Sequence, residues 1–393
     1  MRFARVHIFY ILAMNLSNVF ISAFLITSGS SFTTVGVFYL LNFGFETCGY
    51  FAAGSLSKRF KLSFIACSGL FFYAAGYLAL LLLRDRTAAL IPLTAFLISW
   101  GTSFYWFAYH NNIVNYTDPD TRQTGLSFLG MVNNFLVLTA PPVSGFIMSR
   151  LRGMNGYVTV FAVSLTCFVS AAVVCRRLLS SPTGRSNVII NFFRRDFLRK
   201  RNFLILIVYF FYGIRDGVFS YYLNLIVFGL SSSGYGTMIL GFNMTGRALM
   251  SMLMYFLLSA KLTRRQSISI MTALAFIWPF VISLLHFNYY PAAVFLFTIA
   301  DAAVQIFLYN GMLTTNMELC DLLSGESGGV SRRAEVVGVY HVLLCSGRMV
   351  SCLLFLLIPA AQAYPVWALA GLMALTVPGV ICLRMGRRMM AGK

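Results

Sequence analysis

Long apolar runs recur along the whole chain, each about the length needed to cross a bilayer, and the short turns between them carry almost all of the charge. A bilayer core of about 30 Å takes about 20 helical residues at roughly 1.5 Å each. Reading the runs between charges, Gly/Pro punctuation and polar turns predicts twelve spans: 8–28, 34–56, 62–83, 88–109, 125–149, 156–175, 203–226, 235–260, 267–286, 290–313, 336–359 and 364–384. Only 10% of the 393 residues are charged, against about 25% in soluble domains. Such a chain cannot cover a soluble surface, so its uncharged surface, with 38 Phe, faces lipid. The first run follows Arg2 and Arg5 and is read as an uncleaved first helix rather than a removable leader.

The net charge of +19 would suit nucleic acid if it lay on one face. Its basic residues instead fall in short clusters between apolar runs, which is the pattern of cytoplasmic loops, so no nucleic-acid partner is expected. With the N-terminus inside, the cytoplasmic side collects Lys58, Arg59 and Lys61, Lys261, Arg264 and Arg265, Arg384, Arg387 and Arg388, and the long run from Arg176 to Arg201. The opposite side receives only Arg84, Arg86, Arg150 and Arg152. A wrong span count would scramble this alternation. The expectation is therefore a multi-pass protein of the cell membrane with both termini cytoplasmic. None of the eight cysteines forms a CxxC or a Cys/His cluster, so they read as small packing residues, with no disulfide framework, metal or cofactor expected.

The longest basic loop divides the chain into residues 1–175, a linker at 176–202, and residues 203–393. The linker contains Asn191-Phe192-Phe193-Arg194-Arg195-Asp196-Phe197-Leu198-Arg199-Lys200-Arg201, which reads either as a solvated connector or as an amphipathic helix on the anionic inner leaflet. The two halves echo one another. Span 2 ends in Phe51–Arg59 and span 8 in Phe256–Arg264, each with a basic turn. Span 4 ends in Tyr109-His110-Asn111-Asn112 and span 10 in Tyr309-Asn310-Gly311, each followed by a polar, acidic stretch closed by arginine.

With twelve spans, both ends inside, a basic central loop and two similar halves, the chain resembles the major facilitator superfamily of secondary transporters. Two local motifs add to this. Gly54-Ser55-Leu56-Ser57-Lys58-Arg59 is similar to the family's G-x-L-x-D-R turn between helices 2 and 3, with Lys58 in the place of Asp. Ala140-Pro141-Pro142-Val143-Ser144-Gly145 is similar to the G-P-x-x-G-G stretch of the antiporter branch. The resemblance implies an all-α membrane fold of two six-helix bundles. It places helices 1, 4, 7 and 10 along a central cavity and packs helices 2 and 11 across the halves, which would bring Glu46 towards Arg348.

Six ionisable residues lie near span centres: Glu46, Arg215, Asp216, Arg247, Asp301 and Arg348. A lone charge at that depth costs at least a few kcal/mol, so the three acids and three bases are expected to pair around a polar interior. They are either clamps that hold the bundle or midplane groups for substrate binding and proton coupling. A carboxylate whose arginine partner and solvation alternate could take a proton on one side and release it on the other. Uncharged cavity candidates are Asn15 and Asn18 in span 1, Trp100, Tyr105, Trp106 and Tyr109 in span 4, and Asn133 and Asn134 in span 5. Tyr212 in span 7 and Gln305 and Tyr309 in span 10 complete the set.

The leading expectation is a monomeric, proton-coupled carrier of a small organic solute. Aromatic richness favours export of an apolar or amphipathic compound over uptake of an anion. A non-transporting scaffold or sensor on the same fold is the second class. An enzyme is not expected, since the chain carries no HExxH, GxSxG or GxxxxGK[ST].

Overall fold

The computed structural model describes residues 2–116, 119–151, 153–176, 189–218, 224–229, 235–261, 290–327, 330–357, 371 and 374–390. Every regular element among them is helical. Span 9, expected at 267–286, and the first part of span 12 lie outside the described residues. The chain divides into two compact units. One comprises Met1–Val188 with Ser231–Thr245, the other Ile189–Leu230 with Gly246–Lys393.

In the first unit the order is α1 (Arg2–Ser17), a 3-10 turn (Asn18–Phe20), α2 (Ile21–Thr27), α3 (Phe32–Leu56), α4 (Leu62–Leu83), α5 (Ile91–Tyr116), α6 (Pro119–Leu151) and α7 (Met154–Cys175). Local chemistry sets the boundaries. Gly29 turns the chain with φ 87°, and the Ser31 hydroxyl accepts the Thr34 N–H at 3.1 Å to cap α3. The α6–α7 turn uses Gly153 at φ 58°. On α4 the residues Phe64, Phe71, Leu78 and Leu82 form one exposed stripe, while Leu70, Tyr73, Tyr77 and Leu80 are buried on the other side. A helix apolar on both faces is one that meets lipid outside and protein inside. Ala4–Thr27, Leu62–Asn112, Met154–Cys175 and Glu335–Leu357 are each long and apolar enough to cross a membrane, and the 51 residues of Leu62–Asn112 suffice for two passes.

The second unit begins with a short helix, α8 (Ile189–Phe192), continued by one π turn (Phe193–Phe197). It goes on with α9 (Lys200–Val218), α10 (Asn224–Gly229), the latter part of α11 (Gly236–Lys261), α12 (Tyr290–Ser327), α13 (Val330–Leu357) and α14 (Thr376–Met390). Between α9 and α13 the backbones nearly touch. A Cβ on Gly213 would strike the Leu344 carbonyl, and one on Gly347 would strike the Phe210 carbonyl. Lipid removes the hydrophobic drive between helices, so close approach of backbones through small residues supplies the packing. Arg387 on α14 lies 3.9 Å from Glu318 on α12 and ties the helix ends together.

Several boundaries differ from the expectation. Span 7, expected as one helix over 203–226, is described as α9 to Val218 and α10 from Asn224, and residues 219–223 lie outside the described residues. The polar loops expected after spans 4 and 10 are largely helical: α5 runs to Tyr116, and α12 runs to Ser327. Apolarity marks only the part of a helix that sits in lipid. The hydrogen-bonded spiral continues into water where polar side chains such as Asn111, Thr315 and Asn316 remain buried against neighbours.

Candidate functional site

Each unit holds one polar cluster. In the second unit it is built from charges. Arg215 and Asp216 are consecutive on α9, and consecutive helical residues point about 100° apart. One therefore faces α12 and the other α13. Arg215 Nη2 donates to Asp301 Oδ1, and the side chains are 2% and 0% exposed. Arg348 on α13 donates to Asp216 Oδ2 from Nε at 2.7 Å and from Nη2 at 2.6 Å, with side chains 20% and 18% exposed. The first pair is sealed and the second is reachable by solvent.

On α12 the positions Asp301, Gln305 and Tyr309 recur every four residues and share one face. Gln305 Nε2 donates to the Tyr212 hydroxyl at 3.2 Å, and Arg247 Nη2 on α11 donates to Gln305 Oε1 at 3.4 Å. The Arg215 guanidinium also sits 5.7 Å from the Tyr212 ring centroid, and the Tyr212 and Tyr309 rings lie 6.5 Å apart. Five of the six midplane charges thus form one network with Tyr212, Gln305 and Tyr309. Asp301 is its deepest member. Its second carboxylate oxygen, Oδ2, is buried and has no hydrogen-bond partner among the described residues. An orphaned acceptor at that depth is costly unless something else occupies it.

The cluster in the first unit is neutral and aromatic. His7 Nδ1 meets the Tyr105 hydroxyl at 2.9 Å. The Tyr10 and Tyr73 hydroxyls are 3.2 Å apart, and Tyr73 reaches Thr102 Oγ1 at 2.6 Å. His7 stacks on Tyr109 at 3.9 Å and Tyr10 on Tyr105 at 3.7 Å, with Trp106 and His110 half-buried at the edge of the stack. Tyr105, Trp106 and Tyr109 were expected at a cavity. His7, Tyr10 and Tyr73 were not, although the three-residue spacing of His7 and Tyr10 puts both on one face of the first span. His7, Tyr10, Tyr73, Tyr105 and Tyr109 are all buried, so the rings and hydroxyls of this cluster are spent on one another.

The other expected residues lie elsewhere on the helices of the first unit. Glu46 is buried on α3 with the Tyr50 hydroxyl 3.4 Å away. The Asn15 amide donates to the Ile11 carbonyl of its own helix at 2.9 Å, and Asn18 is exposed. Asn133 and Asn134 are half-buried on α6. Trp100 stacks within Phe96 and Phe104, and its indole N–H has no hydrogen-bond partner among the described residues.

Helices long and apolar enough to cross a membrane, with charges paired inside the bundle, define a polytopic membrane protein. Residues 5–352 match the profile of the Major Facilitator Superfamily, and the chain belongs to that family of secondary transporters. It is 28% identical over 365 residues to "Uncharacterized protein YqgE" of Bacillus subtilis (strain 168), covering 89% of this chain and 80% of the relative. It is 26% identical over 182 residues to "Uncharacterized protein in sodM 3'region" of Geobacillus stearothermophilus, covering 46% of this chain and 85% of the relative. Among solved structures it superposes on a proton-dependent oligopeptide transporter with TM-score 0.67 at 12% identity, over 99% of this chain and 97% of that one. It also superposes on the E. coli fucose:proton symporter with TM-score 0.65 at 13% identity, over 98% and 97%. At such identities the likeness shows the shared fold, which in these relatives is a twelve-helix membrane bundle.

Proposed function

We propose that this protein is a proton-coupled secondary transporter of a small organic solute, working by alternating access in the cell membrane, and that Asp301 is the carboxyl that carries the proton. The reading is carried by the buried Arg215–Asp301 pair, in which one carboxylate oxygen holds the guanidinium and the other has no hydrogen-bond partner among the described residues. A proton added to Oδ2 turns the carboxylate into a neutral acid and weakens its hold on Arg215. Arg215 then turns to another acceptor, and Tyr212 and Gln305, on the same two helices, feel the change. Loss of the proton restores the pair. Asp216 is assigned a holding role, because Arg348 already grips it with two donors.

Export of an apolar or amphipathic solute is the direction favoured. The aromatic richness of the chain, 38 Phe, 20 Tyr and 4 Trp, supports it. Both termini lie in the cytoplasm in this reading, which the distribution of Lys and Arg supports, and the protein is taken to work as a monomer.

The test is transport in proteoliposomes against a solute panel, with a pH gradient imposed in either direction and proton movement followed by a trapped dye. Asp301→Asn is expected to abolish transport driven by the pH gradient while solute-for-solute exchange persists, because exchange needs the conformational cycle but no net proton. Full gradient-driven transport by Asp301→Asn would remove Asp301 from the mechanism. Loss of both modes in a folded protein would make the pair a clamp.

A further inference from the structure

The segment that opens the second unit is short, basic and held in place. Ile189, Phe192 and Asp196 are buried, a spacing of three and four residues that defines one face. Ile189 seats on α13, where a Cβ on Gly338 would strike it. Asp196 pairs with Arg199 at 3.3 Å, and the Asn202 side-chain amide donates to the Asp196 carbonyl at 2.9 Å, fixing the turn into α9. The Phe193 and Phe197 rings meet at 4.9 Å. The opposite face is exposed among the described residues. Ile190 is 47% and Leu198 78% exposed, and Arg194, Arg195, Arg199 and Lys200 are exposed beside them.

We infer that this outer face is a docking site for anionic lipid headgroups, with Leu198 and Ile190 inserted at the acyl boundary and Arg194 and Arg195 on the phosphates. Two features select a lipid surface over other partners. The segment runs directly into α9, a membrane helix, so its level is the interface itself. Its exposed side chains mix apolar Ile190 and Leu198 with cationic Arg194, Arg195, Arg199 and Lys200, which complements a surface that is apolar below and anionic above. A soluble polyanion would engage the arginines and leave Leu198 in water. The inner face is anchored to α13 and α9, which carry Arg348 and Asp216, so the lipid acts on the helices that hold the charged network.

The test uses the full-length protein in neutral detergent, titrated with phosphatidylglycerol or phosphatidylcholine, with bound lipid read by native mass spectrometry and by the thermal midpoint. Phosphatidylglycerol is expected to bind in a tight phase and raise the midpoint, and phosphatidylcholine is not. Each basic residue near an anionic surface is worth about 1 kcal/mol, so Arg194→Gln/Arg195→Gln is expected to weaken the tight phase roughly 25-fold. Leu198→Asp, which keeps both arginines, is expected to weaken it too. Arg84→Gln/Arg86→Gln, which removes the same charge elsewhere, is expected to leave it intact. The inference is overturned by equal binding of phosphatidylcholine, by an unchanged tight phase in Arg194→Gln/Arg195→Gln, or by equal weakening in the Arg84/Arg86 control. It is also overturned if inorganic phosphate alone reproduces the midpoint shift, or if Leu198→Asp binds as the parent does.

Discussion

The sealed pair and the reachable pair should respond very differently to the loss of one partner. Arg215→Gln leaves the Asp301 carboxylate at 0% exposure with both oxygens short of a charged donor, since Oδ2 has no hydrogen-bond partner among the described residues even in the parent. Removing one member of a buried pair costs about 3–5 kcal/mol, mostly because the remaining charge is stranded. Arg215→Gln belongs at the upper end of that range. Asp301→Asn belongs at the lower end, because the Asn carbonyl still accepts from Arg215. Arg215→Gln/Asp301→Asn removes both charges together and should recover more than half of the loss. Arg348→Gln breaks a pair whose side chains are about a fifth exposed, so water takes over part of the solvation and the cost falls to about 1–2 kcal/mol. The assay is equilibrium unfolding in mixed micelles, with the four variants arranged as a double-mutant cycle plus one reference. A cost below about 1 kcal/mol for Arg215→Gln, or a double variant as unstable as the sum of its singles, would refute the claim that the pair is desolvated and coupled.

Gly213→Val should prevent the α9–α13 contact, because the added side chain meets a backbone carbonyl that cannot turn aside; folded yield by size-exclusion chromatography should collapse, whereas Gly130→Val, at a glycine with nothing within 4 Å, should leave it unchanged. For orientation, single cysteines in the 176–202 segment should react with an impermeant maleimide only from the cytoplasmic side and those at 287–289 only from outside, and labelling of both from one face would contradict the twelve-span arrangement.

The spans were legible because the bilayer imposes one length on every helix that crosses it, and composition alone then marks the lipid-facing segments. The midplane charges were legible for the same reason, since a charge inside an apolar run stands out at any depth. Their partners were not. Arg215 and Asp216 are neighbours in sequence and could have paired with each other, but the helical rotation between them sends one to Asp301 and the other to Arg348. Such pairing depends on how helices are turned about their axes, which hydropathy does not encode. The network of Tyr212, Gln305 and Tyr309 with Asp301 was half legible, through the four-residue spacing on α12. The aromatic cluster was only partly so. His7 follows two arginines and reads as the polar flank of a span, and tyrosines within spans are commonly packing residues. What sets Tyr10 and Tyr73 apart is the hydroxyl contact between helices far apart in sequence.

The adjacency of Arg215 and Asp216 has a mechanical consequence for the proposed cycle. Both side chains are carried by one rigid helix packed backbone to backbone against α13 at Gly213 and Gly347. With no side chain between them, α9 and α13 cannot adjust by bending side chains and must slide or turn as bodies. A proton on Asp301 that loosens Arg215 therefore acts on α9 as a whole, and the same movement must strain or re-seat the Asp216–Arg348 pair on its other side. In the proposed cycle the sealed pair would sense protonation and the more exposed pair would register it. Coupling between proton and solute then needs no side-chain relay across the unit, because a single helix with two adjacent charges already links the two sites.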